Sequence, residues 1–239
     1  MAESEKVAVI TGATGALGRV VTKDLLEKGF VVVAPFRKEA TKKELLDHVG
    51  ALGSRLKMIQ AEVSVEEDVN RLFSEVSSTY GKIDVLLNLA GGYKGGQEVQ
   101  NTPVEIWDSL LEMNLKTTIL CCRAALPMMI SRNSGRILNV GARTGMEKRY
   151  RAKSAAYAVA KAGVAVLTEA LAEELKKTDI TVNAILPSTI DTPMNHHDMP
   201  QADSSKWVKP EDVSKVIQFL ISDDSKATSG ALIPVYGRA

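Results

Sequence analysis

The sequence predicts an α/β fold, in which a doubly wound and mostly parallel seven-stranded sheet carries helices on both faces. Short β-branched runs alternate with amphipathic segments, and strands separated by whole helices must pair in parallel. The length of 239 residues suits one large α/β domain better than two. Hydrophobic residues at 45% and charged residues at 25% are sufficient for one full core. We therefore expect residues 1–239 to form a single domain.

Each element follows from the period of its apolar residues, taken in chain order. Two helices carry start signals, Ser64 followed by Glu67 and Thr102 followed by Pro103. The predicted strands are residues 7–10, 31–34, 56–60, 83–88, 137–140, 180–186 and 232–235. The predicted helices are approximately residues 16–28, 42–52, 65–79, 103–131, 154–177 and 210–222.

Charge and cysteine usage narrow the class of protein. Thirty Lys and Arg residues against 29 Asp and Glu residues leave a formal charge of +1, too little for a nucleic-acid partner. Cys121 and Cys122 are adjacent, so they cannot form an ordinary disulfide, and they lack metal-ligand spacing. The short polar start leaves no room for a signal peptide, and no apolar run approaches the roughly 18 residues of a membrane span. The sequence therefore predicts a cytoplasmic protein without a nucleic-acid or membrane partner.

Three long loops each follow a predicted strand. They are residues 89–101, 141–153 and 187–207. In doubly wound sheets, ligands bind outside the carboxyl ends of the strands, so all three loops should open at the same edge. Loops of this length are more often functional than passive. We expect residues 187–207 to form a substrate loop.

The first strand leads directly into a helix through the segment TGATGALG, residues 11–18. Gly12 permits a tight turn, Gly15 leaves room for a pyrophosphate near the backbone, and Gly18 lets the helix pack closely. The helix N-terminus then offers free N–H groups and a positive dipole end to the anion. This context favours a Rossmann-type dinucleotide-binding domain over an ordinary strand-to-helix turn.

The end of the second strand indicates which dinucleotide is bound. An NAD enzyme would usually place an acid there to bind the adenosine ribose, but Phe36, Arg37 and Lys38 precede the first acid, Glu39. Arg37 and Lys38 could instead clamp a 2′-phosphate, and the planar fork of an arginine suits that group. The alternative is that both are solvated loop cations. The sequence favours NADP(H) over NAD(H).

Tyr157 and Lys161 stand four residues apart in a predicted helix and therefore share one face. The ammonium would favour the tyrosinate, and a tyrosine tuned in this way could donate and recover a proton near neutral pH. With the glycine loop and Asn114, these residues resemble the short-chain dehydrogenase/reductase family over essentially the whole chain. The resemblance implies that Tyr157 is the general acid/base, that Lys161 holds the nicotinamide ribose and that Asn114 supports a proton relay.

The resemblance also implies a set of cofactor contacts. They come from the glycine loop, the ends of the second and third strands, the segment after strand four, the catalytic helix and the loop after strand six. The expected contacts are Gly12, Thr14, Gly15, Ala16, Leu17, Gly18, Arg37, Lys38, Glu62, Val63, Asn88, Ala90, Gly91, Tyr157, Lys161, Pro187, Thr189, Ile190 and Thr192.

Two positions depart from the family pattern. The commonest family pattern has its middle glycine one residue later, whereas here it is Gly15, and Ala16 stands in the usual place. Where a serine usually hydrogen-bonds the substrate carbonyl, this chain has Ala142. Loss of a donor aimed at developing charge usually costs a few kcal/mol of barrier. Ser154 and Thr144 are candidate replacements, and the sequence does not decide between them.

A narrower resemblance accounts for this departure. Dihydropteridine reductases, a branch of the same family, resemble the chain at Gly141-Ala142-Arg143 and at the glycine loop. They also resemble it at residues 90–96, with an aromatic at Tyr93, and at residues 186–195, 199–203 and 207. The resemblance implies a small conjugated acceptor, a quinonoid dihydropteridine, which takes up hydride without an isolated carbonyl. The expected substrate contacts are Tyr93, Ala142, Arg143 and Trp207. Tyr93 and Trp207 could stack on a flat heterocycle, and the alternative is that each packs in the core or at the rim. Those reductases usually carry the ribose-binding acid, which this chain lacks.

Two other functions remain open from the sequence. One is a carbonyl or 3-oxoacyl reductase of the same family, and the other is a catalytically silent nucleotide-binding protein. The intact Tyr157 and Lys161 pair argues against the silent protein. His196 and His197 have no third ligand at metal spacing, so no metal is expected. The family resemblance implies a homodimer or homotetramer formed through residues 103–131 and 154–177.

Overall fold

The computed structural model describes residues 5–238, in which seven parallel strands form a sheet of order β3-β2-β1-β4-β5-β6-β7. The order reverses between β1 and β4, which makes a crevice at the carboxyl ends of these two strands. The predicted fold class is confirmed. The strands are β1 (Val7–Thr11), β2 (Val31–Phe36), β3 (Leu56–Gln60), β4 (Val85–Asn88), β5 (Gly135–Val140), β6 (Ile180–Pro187) and β7 (Leu232–Val235).

Helices cover both faces of the sheet, as their apolar periods predict. They are α1 (Ala16–Glu27), α2 (Glu39–Val49), α3 (Glu66–Tyr80), α4 (Val104–Leu111), α5 (Thr117–Ser131), α6 (Arg143–Met146), α7 (Ala155–Glu174), α8 (Pro193–Asp198) and α9 (Pro210–Leu220). The short helices α6 and α8 lie inside segments that the sequence predicted as loops. Neither start signal caps its helix, because Val65 and Pro103 occupy the N-cap positions of α3 and α4 without a side-chain hydrogen bond.

The core consists of two apolar layers, one on each side of the sheet. Val7 and Val9 face the layer that contains α3, α5 and the end of α7, whereas Ala8 and Ile10 face the layer that contains α1, α2 and α9. Successive strand residues point to opposite faces, so a strand buried on both sides is apolar throughout. This is why β1 is a continuous apolar run rather than an alternating one.

The helix predicted at residues 103–131 is interrupted. A π-helical turn, Glu112–Lys116, separates α4 from α5. The widened turn contains the buried Asn114, whose side-chain amide donates to the Leu110 carbonyl oxygen at 3.0 Å. Such π turns occur frequently at functional sites because they redirect one side chain without ending the helix. Apolar periodicity does not distinguish this insertion from a regular helix.

Helix α7 is long and apolar enough to cross a membrane by length and composition alone, so the prediction that no segment approaches this limit is wrong. Half of the segment is nevertheless buried within the protein. It packs against α4, α6, β5 and β6, as the core helix of a globular domain does.

Candidate active site

The glycine loop is a cradle made of backbone. Gly12 has a φ of +69°, and a Cβ atom there would lie 2.7 Å from the Ala90 nitrogen. A Cβ atom at Gly18 would lie 2.1 Å from the Gly12 carbonyl oxygen, so α1 approaches the turn as closely as glycine allows. Gly15 is the exposed N-cap of α1, and no side chain caps this helix end. The loop therefore leaves both space and helix-terminal N–H groups at the crevice.

Two arginines border the side of the crevice where the sequence predicts that adenosine binds. Arg37, at the end of β2, is exposed and lies 3.3 Å from the Glu62 carboxylate, which follows β3. Both residues are on the predicted cofactor side, and the structure brings them together. Arg19 is a further cation at this side that was not predicted, although it directly follows Gly18. Its Nε donates to the Thr14 carbonyl oxygen at 2.9 Å, and its guanidinium pairs with Glu44.

The segment after β4 joins the cradle through its backbone. The Ala90 N–H donates to the Thr11 hydroxyl at 3.2 Å. The Asn88 side chain instead points into the protein, where its amide donates to Asn139 Oδ1 at 2.9 Å. Asn88 and Asn139 therefore connect β4 to β5 beneath the crevice rather than lining it with their side chains.

Gly91 brings two candidate catalytic side chains to one place. A Cβ atom at Gly91 would lie 2.6 Å from Asn114 Oδ1 and 3.4 Å from Lys161 Nζ. Asn114 also accepts from the Gly92 N–H at 3.2 Å and donates to the Gly92 carbonyl oxygen at 3.0 Å. The absence of a side chain at Gly91 thus lets an asparagine from the π turn and a lysine from α7 converge.

Tyr157 lies between Lys161 and a second tyrosine. Its ring is edge-on to the Tyr93 ring, with centroids 5.0 Å apart and planes at 85°. Lys161 Nζ lies 5.9 Å from the centroid of the Tyr157 ring and donates to the Val140 carbonyl oxygen at 2.8 Å. The Tyr93 hydroxyl is 2.9 Å from the Ser154 hydroxyl. Four of the residues singled out in the sequence therefore meet at the start of α7.

Burial dominates the ionisation of this pair. Burial raises the pKa of Tyr157 well above its ordinary value, and the neighbouring Tyr93 adds to the rise. The same burial lowers the pKa of Lys161 to about 8. The prediction that the ammonium favours the tyrosinate is therefore wrong for this structure, because desolvation outweighs an ammonium that is hydrogen-bonded to a carbonyl oxygen. The Tyr157 hydroxyl is therefore protonated near neutral pH.

Ala142 and Arg143 begin α6 at the end of β5. Ala142 is buried and presents only a methyl group where the family usually has a hydroxyl. The Arg143 guanidinium is enclosed between the rings of Tyr150, at 4.1 Å, and Tyr236, at 4.5 Å, and its Nε pairs with Glu147. The sequence does not indicate this enclosure, because Tyr236 comes from the segment after β7.

The loop after β6 folds back on itself. Ile190 pairs with Val208 in an isolated bridge, and the Thr192 hydroxyl accepts from the Asn195 N–H to cap α8. The ring centroids of Trp207 and His196 lie 4.8 Å apart. Among the ring contacts of residues 5–238, none joins Trp207 to Tyr93, so the two predicted substrate aromatics do not form one stack.

The other predicted positions are placed as follows. Lys38 is exposed and precedes α2, Val63 is buried after β3, and Thr144 lies in α6 with its carbonyl oxygen accepting from Arg151. Pro187 ends β6, and the Thr189 carbonyl oxygen accepts from the Val208 N–H at 3.0 Å. Within the described part of the chain, no three His, Cys, Asp or Glu side chains come together as a metal site requires.

Comparison with known proteins agrees with this geometry. The family model described as short chain dehydrogenase matches residues 6–203. An uncharacterized oxidoreductase of Staphylococcus epidermidis is 32% identical over 190 residues, which are 80% of each chain. The (2S)-[(R)-hydroxy(phenyl)methyl]succinyl-CoA dehydrogenase subunit of Thauera aromatica is 30% identical over 99% of this chain and 97% of its own.

Solved structures show the same architecture. An NADPH complex of actinorhodin polyketide ketoreductase superposes with a TM-score of 0.89 at 27% identity, covering 98% of this chain and 96% of the other. ElxO with NADP bound gives a TM-score of 0.92 at 24% identity, over 98% of both chains, which supports the fold. The chain therefore belongs to the short-chain dehydrogenase family and is an NAD(P)H-dependent oxidoreductase.

Proposed function

We propose that this oxidoreductase transfers hydride from NADPH to a small conjugated acceptor, a quinonoid dihydropteridine. The observation that carries the proposal is the edge-on pairing of Tyr93 with Tyr157, in a chain that has only a buried methyl group at Ala142. The exposed Tyr93 ring offers a flat surface for a heterocycle, and no hydroxyl at position 142 waits to polarise an isolated carbonyl. The relatives named above include no pterin reductase, so the acceptor rests on these residues and on the sequence resemblance.

The residues of the crevice fit a nicotinamide dinucleotide. The cradle lacks side chains at Gly12, Gly15 and Gly18, and Gly91 leaves space beside Lys161 Nζ. We assign the pyrophosphate to the cradle, the nicotinamide ribose to Lys161 and the adenosine side to the strand ends near Glu62. When bound, the reduced cofactor supplies the hydride.

The protein's own contribution is to hold and deliver a proton. Burial keeps Tyr157 protonated, so its hydroxyl can donate to a ring nitrogen of the acceptor as negative charge develops there. The Asn114 side chain is fixed by three hydrogen bonds, two with the Gly92 backbone and one with the Leu110 carbonyl oxygen, and we assign it a supporting role in returning the proton from solvent. Tyr93 positions the flat acceptor against Tyr157.

We propose a preference for NADPH over NADH on the strength of Arg37 and Lys38. Both are exposed at the end of β2, where a 2′-phosphate would meet them. Arg37→Asp should abolish or reverse the preference, because it replaces an attractive charge with a repulsive one. Titration of both cofactors into this variant measures the effect. Lys226→Asp, which changes an exposed cation before β7, is the matched control. Equal affinity of the unmodified protein for both cofactors would contradict the proposal.

The proposal also covers the substrate loop, the oligomeric state and the cellular compartment. Residues 187–207 would act as the substrate loop of the single domain, and α4, α5 and α7 would pair between copies in a homodimer or homotetramer. Val159 and Val166 are exposed on α7, two turns apart on one face. A cytoplasmic setting fits the free and buried thiols of Cys121 and Cys122.

The acceptor is tested by comparing kcat/KM for quinonoid dihydropterin with kcat/KM for a panel of ketones and quinones. We expect the dihydropterin to be the best acceptor, and Ala142→Ser to give little or no gain toward it. The same substitution should lower the barrier to ketone reduction by up to a few kcal/mol if the added hydroxyl donates to the developing oxyanion. Strong ketone reduction with no pterin activity would refute the proposed acceptor and leave the family assignment intact.

A second candidate function is carbonyl or 3-oxoacyl reduction, and the position of Ser154 favours it. Its hydroxyl is largely buried, bonded to Tyr93 and three residues before Tyr157, so it could replace the missing serine. Ser154→Ala should then lower ketone turnover by roughly 10- to 100-fold, whereas Thr144→Ala should not. If Ser154→Ala left ketone turnover unchanged, this second candidate would fail.

A further inference from the structure

A second cavity lies beside the Tyr93 and Ser154 pair. Its volume is about 380 Å³, and it lies between the loop after β4 and the start of α7. Its polar lining comes from Lys94, Gln97, Thr102, Lys153 and Ser154. We call it the Lys94–Lys153 cavity. It shares Ser154 with the candidate active site, because the Ser154 hydroxyl is the partner of the Tyr93 hydroxyl.

The charge of this cavity is positive. Two lysines line it and no Asp or Glu does. Several other lysines of the chain are paired, such as Lys42 with Glu39 and Lys116 with Glu112. Within residues 5–238, neither Lys94 nor Lys153 forms an ion pair. Two uncompensated ammonium groups at one concave surface attract an anion.

The backbone holds this surface in place at some cost. Lys153 has a φ of +57°, and Asn133 is the only other non-glycine residue of the described chain with a positive φ. A long side chain in this left-handed region is uncommon and persists where the surroundings impose it. Here the Gly96 N–H donates to the Lys153 carbonyl oxygen at 2.7 Å and joins the two loops that form the cavity.

The first turn of α7 adds to the attraction. Ala155 and Ala156 line the cavity, and Ser154 is the N-cap of this 20-residue helix without capping it through its side chain. The positive end of the helix dipole therefore lies at the cavity wall. Because Tyr157 follows in the same turn, a ligand bound here would extend from the site of proton donation.

We propose that the acceptor carries an anionic group that binds between Lys94 and Lys153 while its reacting ring lies against Tyr93. This inference rests on the proposed function, and it narrows the acceptor to a compound with a flat ring and an acidic substituent. The two lysines would set specificity and take no part in the proton transfer.

Equilibrium titration of the NADP-loaded protein tests the inference without turnover. The probes are two matched pairs, pterin-6-carboxylate with 6-methylpterin, and benzoylformate with methyl benzoylformate. We expect the acid of a pair to bind at least tenfold more tightly than its neutral partner at low ionic strength. The difference should shrink as salt is added, because exposed charges are screened.

Variants identify the source of the difference. The double substitution Lys94→Gln and Lys153→Asn should abolish the tighter binding of the acids. It should leave NADP affinity and the unfolding midpoint unchanged, since asparagine tolerates a left-handed backbone. Lys148→Gln changes an exposed lysine of the loop that contains Lys153, and this variant should still bind the acids more tightly than their neutral partners.

The outcomes separate this inference from the proposed acceptor. An acid preference in the ketone pair with no pterin binding would support the anion site and refute the dihydropteridine. Equal binding of both pterins would support the ring site and refute the anion site. Loss of acid preference in Lys148→Gln, its persistence in the double variant, or failure of all four probes to bind would also overturn the inference.

Discussion

The glycine cradle and the Tyr93–Ser154 side of the crevice lie at the same edge of the sheet but are built differently. The cradle is made of consecutive backbone, with the Gly15 N–H donating to the Gly12 carbonyl oxygen at 2.9 Å. The opposite side depends on side chains that are far apart in sequence, such as Tyr93 and Ser154. A backbone site tolerates few residue types at a few positions, whereas a side-chain site can be assembled from many combinations.

This difference decides where substitutions act. Damage to the cradle should affect cofactor affinity, and damage to the side-chain half should affect turnover. Substitutions in each half therefore test this separation of cofactor affinity from turnover.

Tyr157→Phe breaks the side-chain half alone. It keeps the edge-on packing against Tyr93 and removes the donated proton, so we expect kcat to fall by roughly 10²- to 10⁴-fold. NADPH affinity should change little. Steady-state kinetics and a cofactor titration measure the two effects. Full activity in this variant would exclude Tyr157 as the acid.

Gly18→Ala breaks the backbone half alone. The added methyl group would lie 2.1 Å from the Gly12 carbonyl oxygen, so the loop backbone itself must move. We expect at least tenfold weaker dinucleotide binding and a loss of about 1–3 kcal/mol in the free energy of unfolding. Gly53→Ala is the matched control, because Gly53, like Gly18, has no positive φ and a Cβ atom there would meet only the Val49 side chain at 3.9 Å. If Gly18→Ala bound NADPH normally, the close packing of α1 on the turn would not matter for the cradle.

Lys161→Met reports the cost of a buried charge in the side-chain half. Burial lowers the pKa of Lys161 from 10.5 to about 8, so between these pH values the unfolded chain binds a proton that the folded chain does not. Stability due to this group therefore rises with pH across that window and is lowest below pH 8. The methionine variant should lack this pH-dependent rise. Its free energy of unfolding at pH 7 should be up to roughly 3 kcal/mol higher than that of the unmodified protein. Urea unfolding of both proteins at pH 7 to 9.5 measures it, and parallel pH curves would contradict it.

Glu62→Gln removes the carboxylate that pairs with Arg37 and so tests the role of Arg37 in cofactor preference. Its carboxylate lies 3.3 Å from the Arg37 guanidinium, in an exposed pair worth at most about 1 kcal/mol. Releasing Arg37 should raise the preference for NADPH over NADH by about two- to fivefold. Titration of both cofactors measures the ratio. An unchanged ratio would indicate that Arg37 does not meet the 2′-phosphate.

The fold could be predicted almost completely because each strand of the sheet carries its own local signal. The cradle could be predicted as well, since Gly12, Gly15 and Gly18 act within a single turn. The insertion at Asn114 could not, because one added residue in a helix leaves the apolar period nearly intact. The rise in the pKa of Tyr157 could not be predicted either, since it depends on burial that only the folded site creates.

Charged groups near the crevice also differ in whether the local sequence indicates their surroundings. Arg19 follows the third glycine directly and could have been recognised from that position. The enclosure of Arg143 could not be recognised, because Tyr236 comes from another part of the chain. Lys94 and Lys153 have no motif at all, and their shared cavity exists only after two loops are joined.

The enclosure of Arg143 has a consequence for the order in which the protein matures during synthesis. The ribosome delivers the glycine loop, Tyr157 and Arg143 well before Tyr236, whose ring completes the second face around the guanidinium. A nascent chain could therefore form the nucleotide cradle while the substrate side still lacks β7 and its aromatic partner. The glycine cradle would therefore form before the aromatic enclosure of Arg143 is complete.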